Sequence, residues 1–176
     1  MRKLAIVALA LLAAACEPAG PTKKEVVDLV PTDNEISGWA RSGAMNTAEN
    51  ADQLYALIDG EGVPYVDNGF AKCAFQTFSG TVGGNAVELE LRVFDMADST
   101  NAKAVWSAVA TGSETPWTDN PAGDEARVDE SLLFAYRVDF RDREFYVSVN
   151  ILDKTQAALD IAKLFCLNVA QAIEAD

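Results

Sequence analysis

The run Ala86-Val87-Glu88-Leu89-Glu90-Leu91-Arg92-Val93-Phe94-Asp95-Met96 alternates apolar and charged side chains with a period of two. In an extended chain that period sends Val87, Leu89, Leu91 and Val93 to one face and Glu88, Glu90 and Arg92 to the other. A strand of this kind belongs in an antiparallel sheet covered on one side. Upstream, Phe70 to Phe78 keeps the same period, and Ser79-Gly80-Thr81-Val82-Gly83-Gly84-Asn85 supplies a turn, so the two segments read as a hairpin. Downstream, Ala102, Val105, Trp106 and Val109 recur at helical spacing, with Asp98-Ser99 as the cap. A second hairpin follows, Ser131 to Phe140 and Arg143 to Ile151, turning across Arg141-Asp142, and then a long helix from Lys154 to about Ala172. Strand-strand-helix occurs twice without a residue-level repeat. The predicted class is α+β: an antiparallel sheet of four or more strands in two hairpins, with helices mainly on one face.

The parity of the second hairpin assigns Phe134, Tyr136, Val138, Phe145, Val147 and Val149 to the covered face. Arg137, Asp139, Glu144, Ser148 and Asn150 then join Glu88, Glu90 and Arg92 on the open face. Those charges can recognise a ligand, or they can pair with one another across strands. Between the hairpins, Thr111 to Glu130 is polar and carries Gly112, Pro116, Pro121 and Gly123, and it reads as one long loop. Trp117 within it is a contact candidate, because loops carry binding groups and tryptophan offers a large contact area. The alternative is a ring folded back over a core edge. Ahead of the first hairpin, Asn50 begins a helix as its cap, Gln53 reaches back from three residues on, and Gly60 ends it in a left-handed conformation.

The N-terminus has a different grammar. Arg2 and Lys3 are followed by an apolar stretch from Leu4 to Leu12 and by Ala13-Ala14-Ala15 before Cys16, the order of a secretory signal. The stretch is short of the roughly 20 apolar residues of a membrane span. It resembles a bacterial lipoprotein signal, with Ala13 where leucine is usual. The resemblance implies a signal peptide over residues 1–15 and lipidation of Cys16 with triacylated, palmitate-bearing chains. After Cys16, Pro18, Gly20 and Pro21 with no apolar period read as a flexible spacer, taken over 16–29, and the length that remains fits a single domain over 30–176. Glu17, rather than Asp, after the cysteine implies the outer membrane, facing the periplasm. In that oxidising compartment the remaining pair, Cys73 and Cys166, is a disulfide candidate. Cys166 lies in the apolar stripe of the last helix, and Cys73 alternates with Ala71 and Phe75 on the face assigned to the core. Closing a loop of roughly 90 residues would contribute about 4 to 5 kcal/mol. Two buried free thiols are the alternative.

Lys and Arg total 14 against 27 Asp and Glu, a net charge of −13. It becomes −15 once Arg2 and Lys3 leave with the signal. Such a surface repels nucleic acid and anionic lipid heads. Histidine is absent, so a Ser-His-Asp or Cys-His nucleophile cannot be assembled within the chain, and no catalytic residue and no cofactor is assigned.

One further resemblance rests on Leu54-Tyr55-Ala56-Leu57-Ile58-Asp59-Gly60-Glu61-Gly62, on Asn68-Gly69-Phe70, and on the strand ending Phe94-Asp95-Met96 before the helix with Ala104 and Trp106. Together they are similar to a family of uncharacterised bacterial exported proteins, over roughly Val30 to Ile151. This chain has Asp59 where Asn is usual and Phe94 where Tyr is usual. The family implies domain boundaries and no catalytic residue. Read chemically, Asp59, Glu61 and Asp67 among glycines are weak candidates for oxygen ligands to Ca²⁺. The expected function is a membrane-tethered envelope lipoprotein that acts as a non-catalytic binding or assembly module with an envelope protein partner. A carboxylate-dependent hydrolase and an acidic cation-binding protein are the alternatives.

Overall fold

In the computed structural model, which describes residues 24–175, seven strands form one antiparallel sheet in the order β1-β2-β3-β7-β6-β5-β4. The strands are β1 (Ala40–Ala48), β2 (Lys72–Val82), β3 (Asn85–Asp95), β4 (Glu114–Pro116), β5 (Glu125–Asp129), β6 (Tyr136–Asp142) and β7 (Phe145–Ile151). The helices are α1 (Ala51–Ile58), a single turn α2 (Val63–Val66), α3 (Ser99–Ala108) and α4 (Gln156–Glu174), with a 3-10 turn at Asp59–Gly62. The signal segment, Cys16 and the spacer as far as residue 23 lie outside the described residues. The spacer read as far as residue 29 gives way sooner, since Val26 and Leu29 are already buried in the core.

The α+β class and the antiparallel sheet are as the sequence predicts. The sheet, however, has two covered faces and two cores. Leu89, Leu91, Val93, Val138, Val147 and Val149 pack against the stripe of α4 that holds Ala158, Ala162, Phe165, Cys166 and Val169. The opposite face carries Cys73, Phe75, Phe94 and Tyr146 under Leu54 of α1, Tyr65 of α2, and Ala102 and Val105 of α3. Tyr65 stacks on Phe94 with ring centroids 4.0 Å apart. Because α3 and α4 sit on opposite faces, the two strand-strand-helix units are not related as a simple repeat.

That division corrects the disulfide. Cys73 and Cys166 are both buried, free thiols, and the sheet stands between them. Cys166 Sγ lies 3.9 Å from the Val138 carbonyl on the α4 side. Cys73 faces α1 to α3, where burial pushes its thiol up to about 12. Placing both inside held only for a sheet with one covered face.

Local signals survive better than their exact limits. Asn50 Oδ1 accepts from Gln53 N–H at 3.0 Å, and Gln53 reaches back to the N–H of Glu49 at 2.7 Å. Asp59, not Gly60, takes the positive φ, 47°, that ends α1. The second hairpin turns at Arg143-Glu144, two residues later than read, because β6 runs on through Asp142 opposite Phe145. Phe134 is not on the covered face: residues 131–135 form a loop ahead of β6, and the ring is 76% exposed. The segment read as one loop from Thr111 to Glu130 contains β4 and β5.

Candidate functional site

The face read as open is where the charges gather, and α3 covers part of it. Three oppositely charged pairs lie directly across the β5/β6 ladder: Glu125 with Arg141, Arg127 with Asp139, and Asp129 with Arg137. Each is an ion pair, at 2.6, 3.2 and 3.4 Å. Arg137 also reaches Asp139 at 3.4 Å and Glu114 of β4 at 3.1 Å. The Asp139 side chain is 1% exposed and that of Arg127 8%. Buried charges of this kind persist only when they are paired.

Further along the same face, Arg92 pairs with Glu90 and, at 3.4 Å, with Glu61. The guanidinium of Arg92 lies 5.1 Å from the Phe75 ring centre. Glu88 stays exposed and lines a cavity of about 220 Å³ with Thr77, Glu90, Asn150 and Leu152. The residues singled out on this face are therefore mostly engaged with one another. Asp59, Glu61 and Asp67 are not drawn together: among the described residues no cluster of three or more carboxylate or thiol ligands is positioned for a metal.

A larger cavity, about 520 Å³, opens where α3 meets the β4/β5 edge of the sheet. Trp106 and Trp117 line it together with Pro116 and Pro121, and Glu114, Asp124, Glu125 and Arg127 supply its charged groups. Its volume falls within the usual range for small-ligand pockets. The Arg127 guanidinium stacks 4.0 Å from the Trp106 ring centre and donates to the Trp106 carbonyl at 2.9 Å. Trp117 is mostly packed into the α4 core and only 7% exposed. Its indole N–H donates to the Asp119 carbonyl at 2.7 Å, and Lys163 of α4 lies 5.0 Å from its ring centre. The ring is thus both a core-edge residue and part of a cavity wall.

Electrostatically the cavity is acidic. Burial acts to raise the pKa of Glu114, but backbone N–H donors, that of Thr111 at 2.7 Å first among them, and the charge of Arg127 overcome it and hold the carboxyl at about 2. Arg141 bridges Asp124 at 3.0 Å and Glu125 at 2.6 Å. Arg127 is neutralised by Asp139 behind the wall. Arg137 and Asp139, chosen from strand parity, prove to brace the groups that line the cavity rather than line it. The sequence assigns none of Trp106, Glu114, Asp124, Glu125 and Arg127 to a site, and places Trp106 only on the apolar face of a helix. The alternation Glu125-Ala126-Arg127-Val128-Asp129 is the available signal for two of them, Glu125 and Arg127 on β5.

A seven-stranded antiparallel sheet with helices on both faces defines the class of protein by fold. No family model matches the sequence, and no curated protein matches it. Among solved structures, the extracellular domain of PknH from Mycobacterium tuberculosis has a similar fold. It gives a TM-score of 0.51 at 15% identity, over 86% of this chain and 97% of that one. At that identity the likeness concerns the fold alone.

Proposed function

We propose that the chain is a membrane-tethered lipoprotein of the bacterial cell envelope, probed by its partners through a non-catalytic binding cavity at the β4/β5 edge. The observation that carries the reading is the 520 Å³ cavity with two tryptophans in its wall and three carboxylates around it. A partly apolar ligand that is neutral or positively charged suits it, such as a segment of a protein partner. Aromatic walls supply contact area and attract cations, and the acidic rim repels anions. The likeness to an extracellular domain is in keeping with export, and the Arg2-Lys3 to Cys16 segment supports the tether.

The hydrolase alternative finds less support. A general acid needs a carboxyl held protonated near neutral pH, whereas Glu114 is held at about 2, and Asp124 and Glu125 share one arginine. The test is site-specific photo-cross-linking in the envelope from position 118, on the exposed rim, with position 28 as the control. A discrete adduct from 118 alone, lost in a Glu125→Lys variant that still folds, is the expected result. Equal adducts from both positions, or none, would overturn the cavity as the binding site. Cys16→Ala should shift the protein from the membrane to the soluble fraction, and an unchanged distribution would overturn the tether.

A further inference from the structure

Leu132, Leu133 and Phe134 follow one another in the β5–β6 loop at 38%, 77% and 76% exposure, and Leu152, just past β7, is 61% exposed at the same end of the sheet. Large apolar side chains grouped on a surface mark a contact with something apolar. The base of the loop is fixed on both sides. Asp129 accepts from the N–H and O–H of Ser131 at 2.9 and 2.6 Å. Lys154 donates to the Glu130 carbonyl at 2.8 Å and lies over the Tyr136 ring at 4.0 Å. The three side chains are therefore held outward and do not fold over the core.

We propose that this loop is a lipid contact: Leu133 and Phe134, with Leu132 and Leu152 beside them, enter the interfacial region of the bilayer to which the chain is tethered. The proposal rests on the tether read at Cys16. Glu25 pairs with Lys72 at the opposite end of the sheet from the loop. The seven residues of β7, whose first and last residues mark those two ends, span about 20 Å. The nine residues from Cys16 to Lys24 reach roughly 30 Å when extended. A tether of that length lets the loop meet the same membrane, at the high effective concentration that tethering provides. Hydrocarbon also makes no demand on shape, which suits a projecting loop. The surroundings choose the lipid. Glu88 and Glu130 are exposed nearby and Asp153 is half-buried, while Lys154 is engaged by the loop itself. An anionic surface is therefore disfavoured and a zwitterionic one accepted.

The test places an environment-sensitive fluorophore at position 133 of the full mature chain, through an encoded reactive residue, with position 103 on the exposed side of α3 as the control. The protein is bound to phosphatidylcholine vesicles carrying doxyl-labelled acyl chains. A blue shift and several-fold stronger quenching at 133 than at 103 are expected. Phe134→Asp should reduce both, as should replacing half of the lipid by phosphatidylglycerol. Water-like emission at 133, with quenching no greater than at 103 in protein that pellets with the vesicles, would overturn the inference. So would a photo-cross-link from position 134 to a protein in place of lipid. If Cys16→Ala leaves fractionation unchanged, the tether reading fails by itself. The same measurement on the unlipidated chain with excess vesicles then decides the loop: selective quenching at 133 supports lipid contact, and its absence overturns it.

Discussion

Asp139 carries more of this molecule than its single charge suggests. With its side chain 1% exposed, it is the carboxylate that both Arg127, at 3.2 Å, and Arg137, at 3.4 Å, address. Arg137 has Asp129 and Glu114 as further ion partners, whereas the ion pair of Arg127 is with Asp139. Replacing Asp139 by Asn leaves the Arg127 guanidinium buried without its counter-charge, and removing one partner of such a pair costs about 3 to 5 kcal/mol. Urea unfolding of Asp139→Asn should show a loss of that order. The double replacement Arg127→Met with Asp139→Leu should recover most of it, because two apolar groups leave neither charge stranded. A single-variant loss below about 1 kcal/mol, the range of an exposed pair, would mean that the pair is solvated. Strand parity correctly put Asp139 and Arg137 on one face together with Glu88, Glu90 and Arg92. Arg127 was out of sight, because a segment of alternating polar residues reads as loop until the buried partners that neutralise it are known.

Among the elements, the junction of β1 and β2 shows how a single missing side chain sets the packing. A Cβ on Gly80 would lie 2.4 Å from Cδ2 of Trp39. That indole is 2% exposed and meets Phe165 of α4 edge-on, with ring centroids 5.6 Å apart. Gly80→Ala must therefore displace a ring held between sheet and helix, at about 1 to 3 kcal/mol. Gly60→Ala meets nothing within 4 Å, and its φ lies outside the left-handed region. It should be neutral, or stabilising by a few tenths of a kcal/mol to about 1 through the unfolded chain. Midpoints of urea unfolding for the two variants distinguish these outcomes, and a shared midpoint would refute the Trp39 account. Gly80 belongs to the segment read as a turn. It lies instead within β2, where Trp39, distant in sequence, makes glycine necessary. The same elements explain why the first hairpin and α4 were legible and β1, β4 and β5 were not. β3 and α4 carry a full apolar period of their own, whereas β5 alternates Ala126 and Val128 with charges of which Arg127 and Asp129 are buried too.

For the whole molecule, acid should be the main solution stress. Glu114 is held at about 2 against 4.5 in the unfolded chain. Asp129 is also lowered: burial opposes it, but the O–H and N–H of Ser131 prevail. A carboxyl with a depressed folded pKa contributes stability that is complete above its unfolded value and lost as pH falls towards its folded one. Asp142 acts in the opposite sense, because burial raises its pKa and protonation then favours the fold, which offsets part of the loss. Melting temperature should stay level from pH 7 to 5 and fall between about 4.5 and 2. Glu114→Gln should flatten that fall, and an unchanged acid slope in the variant would remove Glu114 from the account. The sequence by itself determined the α+β class, the antiparallel pairing, the caps of α1 and α3, and a net acidic charge. Those properties follow from periods and charges counted along the chain. Only the tertiary structure decided that both faces of the sheet are covered and that Cys73 and Cys166 lie on opposite sides of it. It also joined Trp106, Trp117 and Arg127 around one cavity and left the Leu132-Leu133-Phe134 loop outside. The reason is geometric: alternation assigns a residue to one of two faces, but whether a face is covered, and by which helix, depends on contacts between segments distant in sequence.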